Sequence, residues 1–512
     1  MEAPMNYKEL SADALIGQLT QGWQPSHSGA AQELVRRLSA CLKATTEIKE
    51  IDENALFFLT DLGDIYLRDM NQVPCFVLGG EEIDAGTVRE HCRKVTHRLA
   101  FILALSDGAL EQIKDEFSHS SFLLLSAKEI LQLLTATNAS QLLRSALLEQ
   151  ISQNRLIPYN IFLPASGNMF FGRRGELGRL QSENHTGFAI AGPGRIGKTS
   201  LIKRYAAELT RTKDPMGPLT FLIDFIDCSD HSPDGVAKFF AKRIESTRWS
   251  DRMTAGQLMN FLRYQSNRLG GPLNLLFDEV DEVCQGEAFN CIAAAARDGY
   301  CRLVLCGRGN LLKVMLNSAS ALDRRLNLIQ LEPLDERSAK ELILRPLMHL
   351  GLQLENEDHI IDHVLRMTGR LPHLLQIYGH KLALLAIEEK TNTISLGLLE
   401  TLKWDFAVAQ YFINPFCDMK DPQLRTVGLS LLKSTGQTFS IPAVQEIAMQ
   451  AGLKLDYITA REICNDLLIN NVLVWNNGTF RIANEGLYFY AKEMGFLDNA
   501  LKEAIDQLKA PS

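Results

Sequence analysis

No two of the ten cysteines in this 512-residue chain are spaced C-x-x-C. They are scattered singly from Cys41 to Cys464. That argues against a zinc site or a disulfide frame and for buried, reduced thiols. No apolar run approaches the length of a membrane span, so no membrane partner is expected. Met1 to Met5 carries no basic region followed by an apolar core. The expectation is a chain without a signal peptide, placed in the cytoplasm. There is no low-complexity tract and no repeat of solenoid period. Basic residues are not in excess, with 53 Lys and Arg against 61 Asp and Glu and a net charge of −8. That argues against a broadly basic coat for nucleic acid, and a local basic patch stays open. The remaining composition, 46% apolar and 22% charged, is that of a globular protein, and the length suggests two to four domains.

One stretch organises the rest. Gly192, Pro193, Gly194, Arg195, Ile196, Gly197, Lys198, Thr199 and Ser200 read G-x-x-x-x-G-K-[ST], the phosphate-binding P-loop. An apolar run from Gly187 to Ala191 leads into it, and an apolar-periodic stretch from Ser200 to Leu209 leaves it. That is the strand–loop–helix setting the motif needs. The glycines let backbone N–H groups close around phosphates, and the helix N-terminus adds a positive dipole end. Lys198 would reach the β- and γ-phosphates of ATP, or the β-phosphate of ADP, and the Thr199 hydroxyl would bind Mg²⁺.

Two further apolar runs frame the loop. Leu219 to Ile226 is nearly continuous, as expected of a central parallel strand. Leu273 to Phe277 is another and ends in Asp278-Glu279, a Walker B pattern about eighty residues after the P-loop. Asp278, at the carboxyl end of its strand, would hold Mg²⁺, usually through water. Glu279 would orient or deprotonate the attacking water. Val280-Asp281-Glu282 then makes the site strongly acidic.

About twenty residues before the P-loop stands Phe170-Phe171-Gly172-Arg173-Arg174-Gly175-Glu176-Leu177. It resembles the F-x-G-R-x-x-E-L lead-in of AAA+ and STAND ATPases. That resemblance implies that Phe171, Gly172 and Arg173 lie near the adenine. The next strand, Arg302 to Cys306, is followed by Arg308, and the resemblance gives Arg308 the sensor position facing the γ-phosphate. Arg324 and Arg325 are either an arginine finger across a subunit interface or ordinary surface charges. Leu331, Leu334, Ala339, Leu342, Ile343 and Pro346 follow the L-x-P-L and helix signature of bacterial STAND ATPases. Thr368-Gly369-Arg370-Leu371-Pro372 resembles the G-x-P turn of NACHT and NB-ARC modules, which implies that Pro372 packs on the base. Gly369 ends one helix there and Pro372 starts the next, and a further helix is expected from Leu398 to Ala409.

From Leu424 the order is helix, helix, helix and hairpin, the last turning at Asn476-Asn477-Gly478. This is a winged-helix pattern. Between Lys420 and Glu493 seven basic residues face seven acidic ones, little for phosphate neutralisation, so DNA is possible but not favoured and a protein-contact wing is preferred. A single helix, Leu497 to Leu508, closes the chain.

The first fifty residues look helical. Beyond them, strands at Ala55–Thr60, Asp64–Leu67, Cys75–Leu78, Leu99–Leu105 and Phe122–Leu125 alternate with helices at Ala85–Thr96, Ala109–Phe117 and Ala127–Leu134. A small parallel sheet is expected. It loosely resembles a restriction-endonuclease core, but Cys75 to Leu78 lacks the carboxylate and lysine such nucleases need; Asp61 and Asp64 are the nearest acids.

The expected domains are thus a helical segment (1–50), a small α/β domain (51–150), a linker (151–168), a P-loop ATPase (169–335), a helical lid (336–415), a winged helix (416–495) and a C-terminal helix (496–512). The fold class is α/β, with an AAA+-type parallel sheet. The resemblance implies a STAND-like switch in which ADP holds a closed monomer. Exchange for ATP then favours a homo-oligomer or a protein partner, and slow hydrolysis resets it; a role in bacterial defence or stress signalling is implied by the resemblance alone. The alternatives are a DNA-acting ATPase resembling archaeal replication initiators, and a nuclease–ATPase fusion.

Overall fold

The structure is a computed structural model. It describes residues 7–20, 28–51, 54–60, 62, 65–67, 72–78, 99–106, 122–182, 187–211, 219–245, 250–317, 320, 322, 326–417, 419–434, 438–493 and 495–509. The expected helices at Ala85–Thr96 and Ala109–Phe117, the acids Asp61 and Asp64, and the arginines Arg324 and Arg325 lie outside these residues. The chain divides into two compact units. One holds Met1–Phe171, Glu341–Glu355 and Gly379–Leu398; the other holds Gly172–Lys340, Asn356–Tyr378 and Leu399–Ser512.

The first unit is built on a sheet of five strands in sequence order: β1 (Thr45–Ile51), β2 (Asn54–Thr60), β3 (Gln72–Leu78), β4 (Ala100–Ala104) and β5 (Phe122–Ser126). The sheet is mixed, not purely parallel. β1, β2 and β3 pair antiparallel, and β3, β4 and β5 pair parallel. The expectation of helix through the first fifty residues fails at β1. Thr45-Thr46-Glu47-Ile48-Lys49-Glu50-Ile51 interleaves β-branched with charged residues, a strand pattern. Its partner begins after two intervening residues, with Ile51 opposite Asn54. Ile65 to Leu67, expected as strand, is irregular. The stretch expected as a linker is tied down: Tyr159 is fully buried, and its hydroxyl donates to the Ile343 carbonyl at 2.7 Å.

The second unit carries β6 (Gly187–Ala191), β7 (Thr220–Asp224), β8 (Leu273–Asp278), β9 (Cys301–Gly307) and β10 (Asn327–Gln330). All pair parallel in the order β10-β6-β9-β8-β7. That order corrects the expectation for Leu219 to Ile226. β7 is an edge strand, not a central one, and Leu222 and Ile226 are 40% and 72% exposed. An apolar run reports the preference of a strand for burial, but the crossover connections decide its place. Behind β8, Phe277 is sealed by Phe225, Phe240 and Phe289, with ring centroids 5.3, 5.4 and 5.9 Å away.

The lid segments include helices Glu336–His349, Glu357–Thr368 and Pro372–Glu388. Within the first unit, β11 (Gln353–Leu354) pairs parallel with β12 (Thr393–Ile394). The single helix expected at Leu398–Ala409 is two, Leu396–Lys403 and Phe406–Cys417. Asp405 divides them, because its carboxylate accepts the N–H groups of Ala407 (2.7 Å) and Val408 (3.3 Å) and so caps a new helix.

The C-terminal part has helices Pro422–Lys433, Ile441–Gln450 and Tyr457–Ile469 and a three-stranded antiparallel sheet. Its strands are β13 (Thr438–Phe439), β14 (Leu473–Asn476) and β15 (Thr479–Ile482), in the order β13-β15-β14. The hairpin turns at Asn477 and Gly478, with φ of 45° and 88°. The chain then adds Glu485–Glu493 before Phe496–Lys509, where one helix is expected. The eight described cysteines with assigned states are all free. Burial pushes the thiols of Cys75, Cys284, Cys301 and Cys464 up to about 12.

Candidate nucleotide-binding site

Parallel pairing brings the working ends of three strands together. Ala191 of β6 lies beside Gly307 of β9, and Phe277 of β8 lies beside Leu305. The loop after β6 closes on itself before the helix Lys198–Arg211. Gly197, at φ 101°, makes a bend that an L side chain rarely adopts. The next turn follows at once, with the Leu201 N–H donating to the Gly197 carbonyl. Lys198 is buried, and its ammonium donates to the carbonyls of Gly192 (2.9 Å) and Pro193 (2.8 Å). Burial lowers its pKa, and repulsion from Arg308 adds to the effect.

Asp278 and Thr199 meet across the sheet end. Strand alternation turns Phe277 into the aromatic cluster and Asp278 away from it. The Asp278 carboxylate is 3% exposed and accepts from the Thr199 hydroxyl. Burial raises its pKa, and the Thr199 bond works against that rise. A hydroxyl and a carboxylate are hard-oxygen donors suited to Mg²⁺, which keeps several waters and uses few protein ligands. Among the described residues no group of three or more His, Cys, Asp and Glu side chains could hold a metal. Glu279 follows in the left-handed region at φ 52°.

Arg308 follows β9 and takes the N-cap position of the helix Gly309–Leu316, with no capping bond from its side chain. Its guanidinium lies 3.6 Å from the Glu279 carboxylate. It also covers the P-loop, since a Cβ placed on Gly194 would sit 3.7 Å from Nη1. Asp281, read from sequence as one more acid of the site, is spent on backbone. It accepts the N–H groups of Arg308, Asn310 (3.0 Å) and Leu311 (3.2 Å), which ties the turn after β9 to the turn after β8.

The lead-in motif has a structural share. Arg173, at φ 63° and 8% exposed, donates to Glu176 (2.9 Å) and to the carbonyls of Ile196 (3.1 Å) and Glu332 (2.6 Å). It staples the P-loop to the chain leaving β10. A Cβ on Gly172 would lie 3.0 Å from Ser338. Phe171 belongs to the other unit, where its ring stacks on Tyr66 at 6.0 Å. The lid turn forms as the spacing predicts. Gly369, at φ 57°, ends Glu357–Thr368, and Pro372 opens Pro372–Glu388. The Leu334 N–H donates to the Arg370 carbonyl at 3.1 Å.

Three features were not legible in the sequence. The first is a cavity lined by Gly194, Arg195 and Arg308 on one side and by His373, Tyr411 and Asn471 on others. The second is the Arg195 guanidinium, 3.2 Å from the His373 imidazole. Burial holds that imidazole down to about 3, with Arg195 adding to it. The third is the helix Tyr457–Ile469, which packs on the helix Gly309–Leu316. Asp466 pairs with Lys313 at 2.8 Å, and Ile469 would lie 3.1 Å from a Cβ on Gly309. The only sequence signal for these was an arginine at the loop position that the structure holds at φ 63°.

The family described as novel STAND NTPase 1 matches residues 159–401. Among solved structures, a Walker-type ATPase of Pyrococcus abyssi is similar at TM-score 0.51 and 15% identity, over 65% of this chain and 98% of that one. The ORC2 protein of Aeropyrum pernix, solved as ADPNP–ADP complexes, has TM-score 0.48 and 13% identity, over 68% of this chain and 97% of that one. A comparison with curated proteins returns no match. The family match agrees with a P-loop after β6 and an acidic end on β8 of one parallel sheet: residues 159–401 carry a STAND-like P-loop NTPase.

Proposed function

We propose that this chain is an ATP-binding conformational switch with slow hydrolysis. The observation that carries the reading is the seating of the helix Tyr457–Ile469 on the helix Gly309–Leu316, through Asp466 and Ile469. Asn470, Asn471 and Val472 just beyond it line the same cavity as Gly194 and Arg308. A domain so placed is sensitive to what the P-loop holds.

In this reading Gly192 to Ser200 cradle the phosphates with backbone N–H groups and Lys198. Gly172, Arg173 and Pro372 border the base. Thr199 and Asp278 hold Mg²⁺, which neutralises charge on the phosphate oxygens when bound. Glu279 orients the attacking water and accepts its proton, and Arg308 faces the γ-phosphate. ADP favours the closed arrangement. ATP favours an open one that binds a second copy or a protein partner, provided the two conformations differ in affinity for the two nucleotides. The third C-terminal helix, the usual reader of a major groove, has its end turned into the ATPase, which supports a protein-contact role for the wing over DNA binding.

Gel filtration with light scattering, in ADP and in a non-hydrolysable ATP analogue, tests this. A larger species or a changed hydrodynamic radius in the analogue alone is expected. Identical elution in both sinks the switch. Salt-dependent duplex binding by the full chain would instead favour a DNA-acting ATPase.

A further inference from the structure

The P-loop holds an arginine where its own geometry favours glycine. Arg195 sits at φ 63°, in the left-handed region that L side chains enter only at a cost. Such a residue persists where the surroundings make use of it. Its guanidinium is exposed and reaches out of the loop to the ring of His373, Nη1 to Nε2 at 3.2 Å. A guanidinium only donates, so Nε2 accepts and the ring proton is on Nδ1. His373 is the second residue of the helix Pro372–Glu388, directly after the lid turn, and its ring stands edge-on to Tyr411 at 5.6 Å.

The partner is weak for so strong a donor. A neutral imidazole offers no charge, and a charge-assisted bond is about twice as strong as a neutral one. The geometry nearby shows where a stronger acceptor would arrive. Arg308 and Arg195 line one cavity with Gly194 between them. Lys198 is close enough to Arg308 for the two charges to repel. Two arginines thus line the cavity beside the P-loop, and the loop's lysine, which in this motif meets the last phosphates, is near one of them. Arg308 already has a carboxylate beside it, Glu279 at 3.6 Å, whereas the side-chain bond of Arg195 goes to His373.

We propose that Arg195 is the residue that distinguishes a nucleoside triphosphate from a diphosphate, by exchanging His373 for the terminal phosphate. This rests on the reading of the chain as a nucleotide switch and assigns the step that couples nucleotide to lid. With a diphosphate, Arg195 stays on His373 and holds the lid turn against the P-loop. A terminal phosphate takes the guanidinium, frees His373 and Tyr411, and removes one tie between lid and loop. No bond is made or broken covalently; one hydrogen bond is traded for another.

The test is equilibrium binding of ADP and of a non-hydrolysable ATP analogue to the full chain by calorimetry, with Mg²⁺ present. His373→Phe keeps the edge contact with Tyr411 and removes the acceptor. It is expected to raise the ratio of triphosphate to diphosphate affinity about tenfold, the worth of one hydrogen bond to a charged group. His373→Gln keeps an acceptor and should stay near the wild-type ratio. Arg195→Gly suits the backbone at φ 63°; added to His373→Phe, it should return the ratio to the wild-type value or below. An unchanged ratio in His373→Phe overturns the exchange. So does a raised ratio that survives in the double variant, or one that His373→Gln raises as much as His373→Phe. A wild type that binds neither nucleotide ends the switch reading and the role of Arg195 with it. Binding of both, with a flat ratio across the variants, ends only the role of Arg195.

Discussion

The two sheets of this chain use similar parallel strands for different ends. In the first unit β3, β4 and β5 run parallel, and β5 passes directly into the helix Ala127–Thr135. Ser126, at that junction, is consumed locally. Its hydroxyl donates to the Glu129 carboxylate at 2.6 Å, and the Glu129 N–H donates back to it in a capping box. In the second unit β6 and β8 end in the same topological position. There the polar residues look outward from their own element: Thr199 binds Asp278 across the sheet, and Arg308 reaches Glu279. In open α/β sheets ligands gather at the carboxyl ends of the strands. The comparison teaches that the position is not sufficient. A strand end becomes a candidate site when its polar groups are left for a neighbour by a loop, here Gly192 to Gly197, that does not cap its helix with a side chain of its own.

The sharpest way to break the contrast is at Glu279. Glu279→Gln should lower ATP turnover by about 10²–10⁴-fold, the usual share of a positioned acid–base group, with nucleotide affinity little changed. Phosphate release assays read this, and unaltered turnover would remove Glu279 from the chemistry. Lys198→Ala comes next. It should weaken ADP and ATP by about 100-fold, through lost charge-assisted bonds to phosphate. Retained affinity in a titration would mean that nucleotide binds elsewhere.

Acid should weaken each unit through its buried histidines, most at His349 and His373. Burial, with Arg144 adding to it, holds His349 in the first unit down to about 4, and His373 in the second is held to about 3. With folded values below the ordinary 6.5, the unfolded chain takes up protons first. Their contribution is therefore intact above about pH 6.5 and declines as pH falls toward 4 and 3. The slope is at most about 1.4 kcal/mol per pH unit for each group, and less for His373, whose ring is partly exposed. Urea unfolding between pH 7 and pH 4 checks it; His349→Phe and His373→Phe should each flatten the curve, and an unchanged slope in both would deny the effect.

The smallest effect is expected at Ser126. Ser126→Ala should cost about 1 kcal/mol, the worth of an N-cap, and leave nucleotide affinity unchanged. A loss of affinity there would erase the distinction between the two sheets.

The legible parts were those in which a local pattern fixes a local conformation. The P-loop, the apolar run ending at Asp278, the Gly369 stop, the Pro372 start and the Asn477-Gly478 turn each depend on a few adjacent residues. β1 was missed because its charges interrupt the apolar signal. Asp281 was misread because a carboxylate after a Walker B strand can face a metal or a helix N-terminus, and only the fold shows which.

The sequence alone therefore determined that a phosphate-binding loop, an acidic strand end and a G-x-P turn exist, because each is written in short-range stereochemistry. It left strand order open: β7 became an edge through the path of the crossovers. It also left open the meeting of Arg195 with His373, 178 positions apart, and of Lys313 with Asp466. Those contacts depend on which surfaces pack together, a free-energy difference summed over the whole unit and carried by no single stretch of chain.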